Sequence, residues 1–114
     1  MVTSDYIILG AGASGLMLAY RMSQDAFFDD KSILIIDKVK NKGNDRTWCY
    51  WEDGIGEWDN IVHKRWSNIF FGSKTFSKTI TISPFNYKMI RSEKFYKSLW
   101  ESISLKSNIQ FIED

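Results

Sequence analysis

Gly10-Ala11-Gly12-Ala13-Ser14-Gly15 fits the pattern G-x-G-x-x-G, and Asp37 follows 22 residues after Gly15. Those residue types at that spacing suit the ADP half of a dinucleotide. Gly10 permits a tight turn, Gly12 lets the backbone approach a pyrophosphate with no Cβ in the way, and Gly15 lets a helix pack close. The helix N-terminus that follows offers unpaired N–H groups and about half a positive charge to phosphates. Asp37 is placed to accept hydrogen bonds from a ribose 2′-hydroxyl and to disfavour a 2′-phosphate. The candidate cofactor-binding set is therefore Gly10, Ala11, Gly12, Ser14, Gly15 and Asp37. The pattern alone is weak; it gains weight here from a strand before it, a helix after it and an acid ending the next strand. FAD and NAD both carry ADP, so the motif does not separate them.

A second group is aromatic. The chain holds five Trp, five Tyr and eight Phe, and Trp48, Trp51, Trp58 and Trp66 crowd into one stretch. Such residues fill cores or line an apolar ligand site. Trp48, Tyr50 and Trp51 are the candidate lining residues, and Glu52 is the acid set among them, where a ring environment would raise its pKa. Cys49, between Trp48 and Tyr50, is expected to be a small buried thiol. His63 is the sole histidine; with no nucleophile motif or metal-ligand spacing beside it, neither a triad nor a metal site is indicated. His63-Lys64-Arg65 reads as a solvated turn.

These residues need elements to position them. Asp5-Tyr6-Ile7-Ile8-Leu9 reads as a strand buried on both faces. Leu16, Ala19, Tyr20 and Met22 recur at helical spacing over 14–23, and Ser32-Ile33-Leu34-Ile35-Ile36-Asp37 is a second buried strand, so 1–37 forms a βαβ unit. Residues 38–90 form an inserted segment, with an aromatic, glycine-punctuated stretch lacking a clean period. It continues into a hairpin of 68–71 and 76–82 joined through Gly72-Ser73-Lys74. Ser92 and Glu93 open a helix to about residue 104, with Phe95, Leu99 and Ile103 on one stripe. Asn108-Ile109-Gln110-Phe111-Ile112 is a further strand, so 91–114 returns to the sheet. The expected fold is α/β, a Rossmann-like domain with a parallel sheet interrupted by an aromatic, hairpin-containing insertion. A sheet ending on such a strand is expected to be incomplete.

Composition excludes several classes. With 114 residues, 44% hydrophobic and 25% charged, the chain suits one small globular domain rather than a disordered one. A net charge of +1 with scattered Lys and Arg gives no nucleic-acid footprint. One cysteine permits no internal disulfide and favours a reducing compartment. The first apolar run lacks a cationic lead, against a signal peptide, and none is long enough to span a bilayer. A cytoplasmic location is expected, with peripheral attachment to the membrane left open.

Asp45-Arg46-Thr47-Trp48-Cys49-Tyr50-Trp51-Glu52 resembles the D-R-T-W-C-F-W-E signature of the bacterial-type lycopene β-cyclases, with Tyr50 in place of Phe. Tyr87-Lys88-Met89-Ile90-Arg91-Ser92-Glu93-Lys94-Phe95-Tyr96 is similar to a second stretch of that family. Together with the glycine loop, the resemblance spans nearly the whole chain and covers the N-terminal part of a family member. It implies a flavoprotein of carotenoid biosynthesis that closes ionone rings on the ends of lycopene. FAD is needed reduced although the reaction is an isomerisation, with NAD(P)H as a candidate reductant. A carboxylic acid would protonate an end double bond, the carbocation would cyclise, and a base would remove a proton. Aromatic faces can stabilise such a cation by about 2 kcal/mol when desolvated. The family's catalytic acid is expected beyond Asp114, so Glu52 is not assigned that role.

The layout, with an insertion after the second strand, resembles flavoproteins of the hydroxylase-like fold, whose next helix begins with an Arg that reaches the nucleotide. Arg91 is the matching candidate, with a solvated helix-start arginine as the other reading. An FAD-dependent monooxygenase or isoprenoid reductase would share the fingerprint and Arg91 without needing the Trp48 to Glu52 signature. A non-catalytic nucleotide-binding fragment is the remaining alternative.

Overall fold

The computed structural model describes residues 3–114. In chain order these form β1 (Tyr6–Leu9), α1 (Ala13–Ser23), β2 (Ile33–Asp37), β3 (Thr47–Asp53), β4 (Val62–Trp66), β5 (Asn68–Gly72), β6 (Ser77–Thr81), β7 (Phe85–Arg91), α2 (Ser92–Ile103) and β8 (Ile109–Glu113). The fold is mixed α/β and divides into two compact units, one running to Gly43 and resuming at Phe95–Asp114, the other Asn44–Lys94.

In the first unit β2 lies between β1 and β8, parallel to both. A parallel pair needs a crossover, and α1 supplies it between β1 and β2. Leu16, Ala19 and Met22 form its buried stripe, while Ile33, Leu34 and Ile35 of β2 are buried. Phe95, Leu99 and Ile103, at the spacing of one helix face, are buried on α2. Trp100 meets Phe111 of β8 edge to face at 5.5 Å. β1 departs from expectation: Ile8 is buried, but Leu9 is 79% exposed and Ile7 is exposed too. β1 is an edge strand, and alternation turns only Ile8 inward.

In the second unit β7 is the central strand of an antiparallel sheet, flanked by β3 and β4. His63-Lys64-Arg65, expected as a turn, belongs to β4, whose register breaks between Val62 and Lys64. Its charged residues are exposed because β4 is an edge strand. β5 and β6 form a separate hairpin, as expected, pairing from Asn68↔Thr81 to Gly72↔Ser77. Ser92 is fully buried; its hydroxyl accepts from the Arg46 N–H at 2.9 Å and donates to Asp45 at 3.1 Å. The start of α2 is thereby fixed to the chain entering β3.

Candidate functional site

The glycine loop of the first unit is built around two constraints. Gly10 has φ +99°, a left-handed conformation that favours glycine, and its N–H donates to the Ile36 carbonyl at 2.8 Å. Gly15 sits where α1 crosses β1, and a Cβ there would collide with the Gly10 carbonyl. Around Gly12, the N-cap of α1, a Cβ would meet nothing within 4 Å. Backbone there is open to approach by an anion, at the positive end of the helix. Ser14 is exposed in the first turn and Ala11 is buried.

Asp37 closes the loop. Its Oδ2 accepts from the Ala11 N–H at 2.6 Å and from Lys42 Nζ at 2.9 Å, and its Oδ1 accepts from the Val39 N–H at 3.3 Å. The Ala11 N–H first, then Lys42, hold its carboxyl down to about 2 from the ordinary 3.8. A folded pKa below the unfolded one gives stability that is present above pH 3.8 and lost as pH falls toward 2. Melting curves of the wild type and Asp37→Asn should therefore converge across that window; a constant separation would contradict this.

In the second unit the aromatic signature divides. β3 pairs with β7 from Thr47↔Arg91 to Asp53↔Phe85, so the two stretches that resemble the cyclases are neighbouring strands. Alternation along β3 puts Trp48, Tyr50 and Glu52, all half-buried, on one face, and Cys49, Trp51 and Asp53, all exposed, on the other. The four expected lining residues thus do not form one wall, and Cys49 is an exposed thiol rather than a buried one. Arg91 is the last residue of β7 rather than the first of the helix; it is exposed and shares the Trp51 face.

On that face Tyr87 stands opposite both Trp51 and Trp66, with ring centroids 4.8 and 5.9 Å away. With Asn68, Ile69 and Phe70 these rings line an open groove of about 410 Å³. Its walls are apolar and aromatic, suited to a flat hydrocarbon or to a cation held against ring faces.

On the other face lies a group that composition did not reveal. Lys88 is 0% exposed, and its ammonium donates to Glu52 Oε1 at 2.7 Å, the Gly54 carbonyl at 2.7 Å and Asp59 Oδ1 at 2.8 Å. Those are all three donors of an ammonium. Hydrogen bonds to Asp59 first, then Glu52, raise the Lys88 pKa against the opposing effect of burial. A Cβ on Gly56 would collide with the Glu52 carboxylate, so glycine is what lets that side chain fold in. Glu52 is therefore an ion-pair partner of Lys88, not the isolated carboxyl among rings that the sequence suggested. Beside it the Tyr50 hydroxyl is buried without a hydrogen-bond partner, and burial raises the phenol's pKa. Among the described residues no cluster of His, Cys, Asp or Glu is placed to hold a metal ion.

The model of the lycopene cyclase protein family matches residues 5–113. The chain belongs to the lycopene cyclase family. No curated protein matches it significantly. Among solved structures it is similar to a four-substitution variant of PqsL from P. aeruginosa, with TM-score 0.71 and 13% identity over 96% of this chain and 33% of that one. PqsL of Pseudomonas aeruginosa, described as a probable FAD-dependent monooxygenase, gives TM-score 0.65 and 11% identity over 96% and 32%. At such identities the likeness is one of fold. The chain spans about a third of the length of these structures. The family match includes both the glycine loop and the β3–β7 pair.

Proposed function

We propose that this chain is the N-terminal, FAD-binding segment of a lycopene cyclase-type flavoprotein that closes rings on the ends of a linear carotenoid. The observation that carries the reading is the Asp37 carboxylate hydrogen-bonded to the Ala11 N–H beside Gly10 and an unobstructed Gly12. These residues fit the ADP half of FAD: Gly10, Ala11, Gly12 and Ser14 around the pyrophosphate, Gly15 holding the helix against the strand, and Asp37 toward the ribose. Arg91 is the candidate for a further nucleotide contact.

Bound FAD supplies an electron-rich ring when reduced, with NAD(P)H as the electron source, and ring closure as an isomerisation consumes no electrons. The chain's own contribution to the substrate is aromatic. Trp51, with Trp66, Tyr87 and Phe70, offers ring faces and no acid in the groove. Such faces favour a hydrocarbon carrying positive charge over water. Trp48, Tyr50 and Glu52 support that wall from the opposite face of β3 rather than lining it. The catalytic acid is expected outside this chain. Peripheral attachment to the cytoplasmic face of the membrane fits so apolar a substrate.

Asp37→Asn in the complete protein should weaken FAD binding by roughly ten-fold or more, the worth of a charged hydrogen bond, read by titration of the apoprotein. Unchanged affinity would remove Asp37 from the site. Trp51→Leu should lower cyclisation at least ten-fold without changing the melting temperature, whereas Trp48→Leu should lower the melting temperature first. Equal behaviour of the two would mean that both only pack.

The likeness in fold to a structure described as a probable FAD-dependent monooxygenase supports a second reading, an oxygenase on the same nucleotide-binding frame. It needs the glycine loop and Asp37 but not the Trp48 to Glu52 signature. Oxygen uptake during turnover separates the two.

A further inference from the structure

The β5–β6 hairpin exposes large apolar side chains that the rest of its unit does not cover. Phe71 and Phe76 are 57% and 53% exposed, with ring centroids 6.2 Å apart. Phe71 stands directly opposite Lys78 across the ladder, and Lys74 lies exposed in the connecting turn. The two ends of that turn are tied together: the Ser73 N–H donates to the Phe76 carbonyl at 2.6 Å, and the Phe76 N–H donates to the Ser73 hydroxyl at 3.2 Å. A tip closed in this way can enter a medium poor in water without leaving those polar groups unpaired.

Charge singles out the same stretch. Residues 60–92 contain six Lys or Arg and no acid, whereas the other 81 residues hold nine Lys or Arg and all 14 Asp and Glu. Within that stretch Lys64, Lys74, Lys78 and Arg91 are exposed, whereas Lys88 is buried against Glu52 and Asp59 and the exposed Arg65 lies 3.9 Å from Asp59. Among the described residues no helix is long and apolar enough to cross a membrane. Adjacent Phe and Lys on a closed hairpin, in an acid-free stretch, match an interface where acyl chains lie beneath negative headgroups.

We propose that the β5–β6 hairpin docks this protein on the surface of an anionic phospholipid bilayer, with Phe71 and Phe76 entering the headgroup boundary and Lys74 and Lys78 meeting lipid phosphates. This rests on the hairpin alone and stands whether or not the protein closes carotenoid rings.

The test is co-sedimentation of the complete protein with vesicles of phosphatidylcholine, alone or mixed with phosphatidylglycerol, with melting temperature and flavin content recorded alongside. The wild type should partition onto the mixed vesicles and far less onto phosphatidylcholine. Lys74→Gln with Lys78→Gln should lower that partition roughly 30-fold, since each lysine near such a surface is worth about five-fold. Phe71→Ser with Phe76→Ser should lower it at least ten-fold. In both pairs melting temperature and flavin content should be unchanged.

Undiminished partition of both pairs overturns the proposal, as does equal binding to neutral vesicles. If the Phe pair instead melts lower, the hairpin is packed within the complete protein and the proposal fails. If the Phe pair instead changes the oligomeric state, its occupant is a second copy and the proposal fails too. A wild type that binds vesicles but holds no flavin would count against the nucleotide reading and leave this one standing.

Discussion

Lys88→Met should lower the melting temperature of the complete protein by roughly 10 °C or more. Methionine keeps much of the length and apolar stem of lysine but removes the ammonium. Glu52, the Gly54 carbonyl and Asp59 would then converge on an apolar group. Two carboxylates would face each other with their shared counter-charge gone, which is the costly way to break a buried ion pair. Adding Glu52→Gln and Asp59→Asn to Lys88→Met should recover part of the loss, because the uncompensated charge goes with them. A single variant as stable as the wild type would contradict the assignment. The pH dependence has two edges. Asp59 has a lowered pKa, so its share of the stability is present above 3.8 and lost as pH falls through the folded value. Lys88 has a raised pKa, so its share is present below 10.5 and lost as pH rises through the folded value.

The second large effect is a contrast between two glycines of one motif. Gly15→Ala places a Cβ against the Gly10 carbonyl, which is backbone and has little freedom to move aside. Either α1 lifts from β1 or the loop shifts, at a cost of about 1–3 kcal/mol. Gly15→Ala should thus lower both melting temperature and flavin content. Gly12→Ala adds a Cβ that meets no protein atom within 4 Å. It should leave the melting temperature of the apoprotein unchanged while lowering flavin affinity, because the added methyl stands where the pyrophosphate would approach. Matching losses in the two variants would make the motif a packing device only.

The sequence was informative where local chemistry decides structure. Gly10 and Gly15 occupy positions where a side chain would be strained or would collide, and Asp37 ends its strand with an acceptor for the loop, so the turn, the close crossing and the strand-ending acid are legible in the sequence. The hairpin is legible because its two strands are joined by a short turn, residues 73–76, within one segment. Legibility failed where partners are distant in sequence. Lys88 gives no signal within the short run 87–90, because its acceptors lie 29 to 36 positions away. Trp48 and Trp51 read as one group when 47–53 is taken as irregular; alternation along a strand puts them on opposite faces. The same reading takes Cys49 as buried, whereas the start of the second helix at Ser92 is legible in the sequence. β1 reads as buried on both faces because an apolar run does not reveal whether its strand lies at the edge of a sheet.

The measurement that bears most directly on the central claim is product analysis of the complete protein supplied with lycopene, FAD and NAD(P)H, with oxygen monitored throughout. The cyclase reading predicts a ring-bearing product of the same elemental composition as the substrate, formed without oxygen uptake and dependent on reduced flavin. A product that has gained oxygen, formed with matching oxygen and NAD(P)H consumption, would contradict it and establish the oxygenase reading instead.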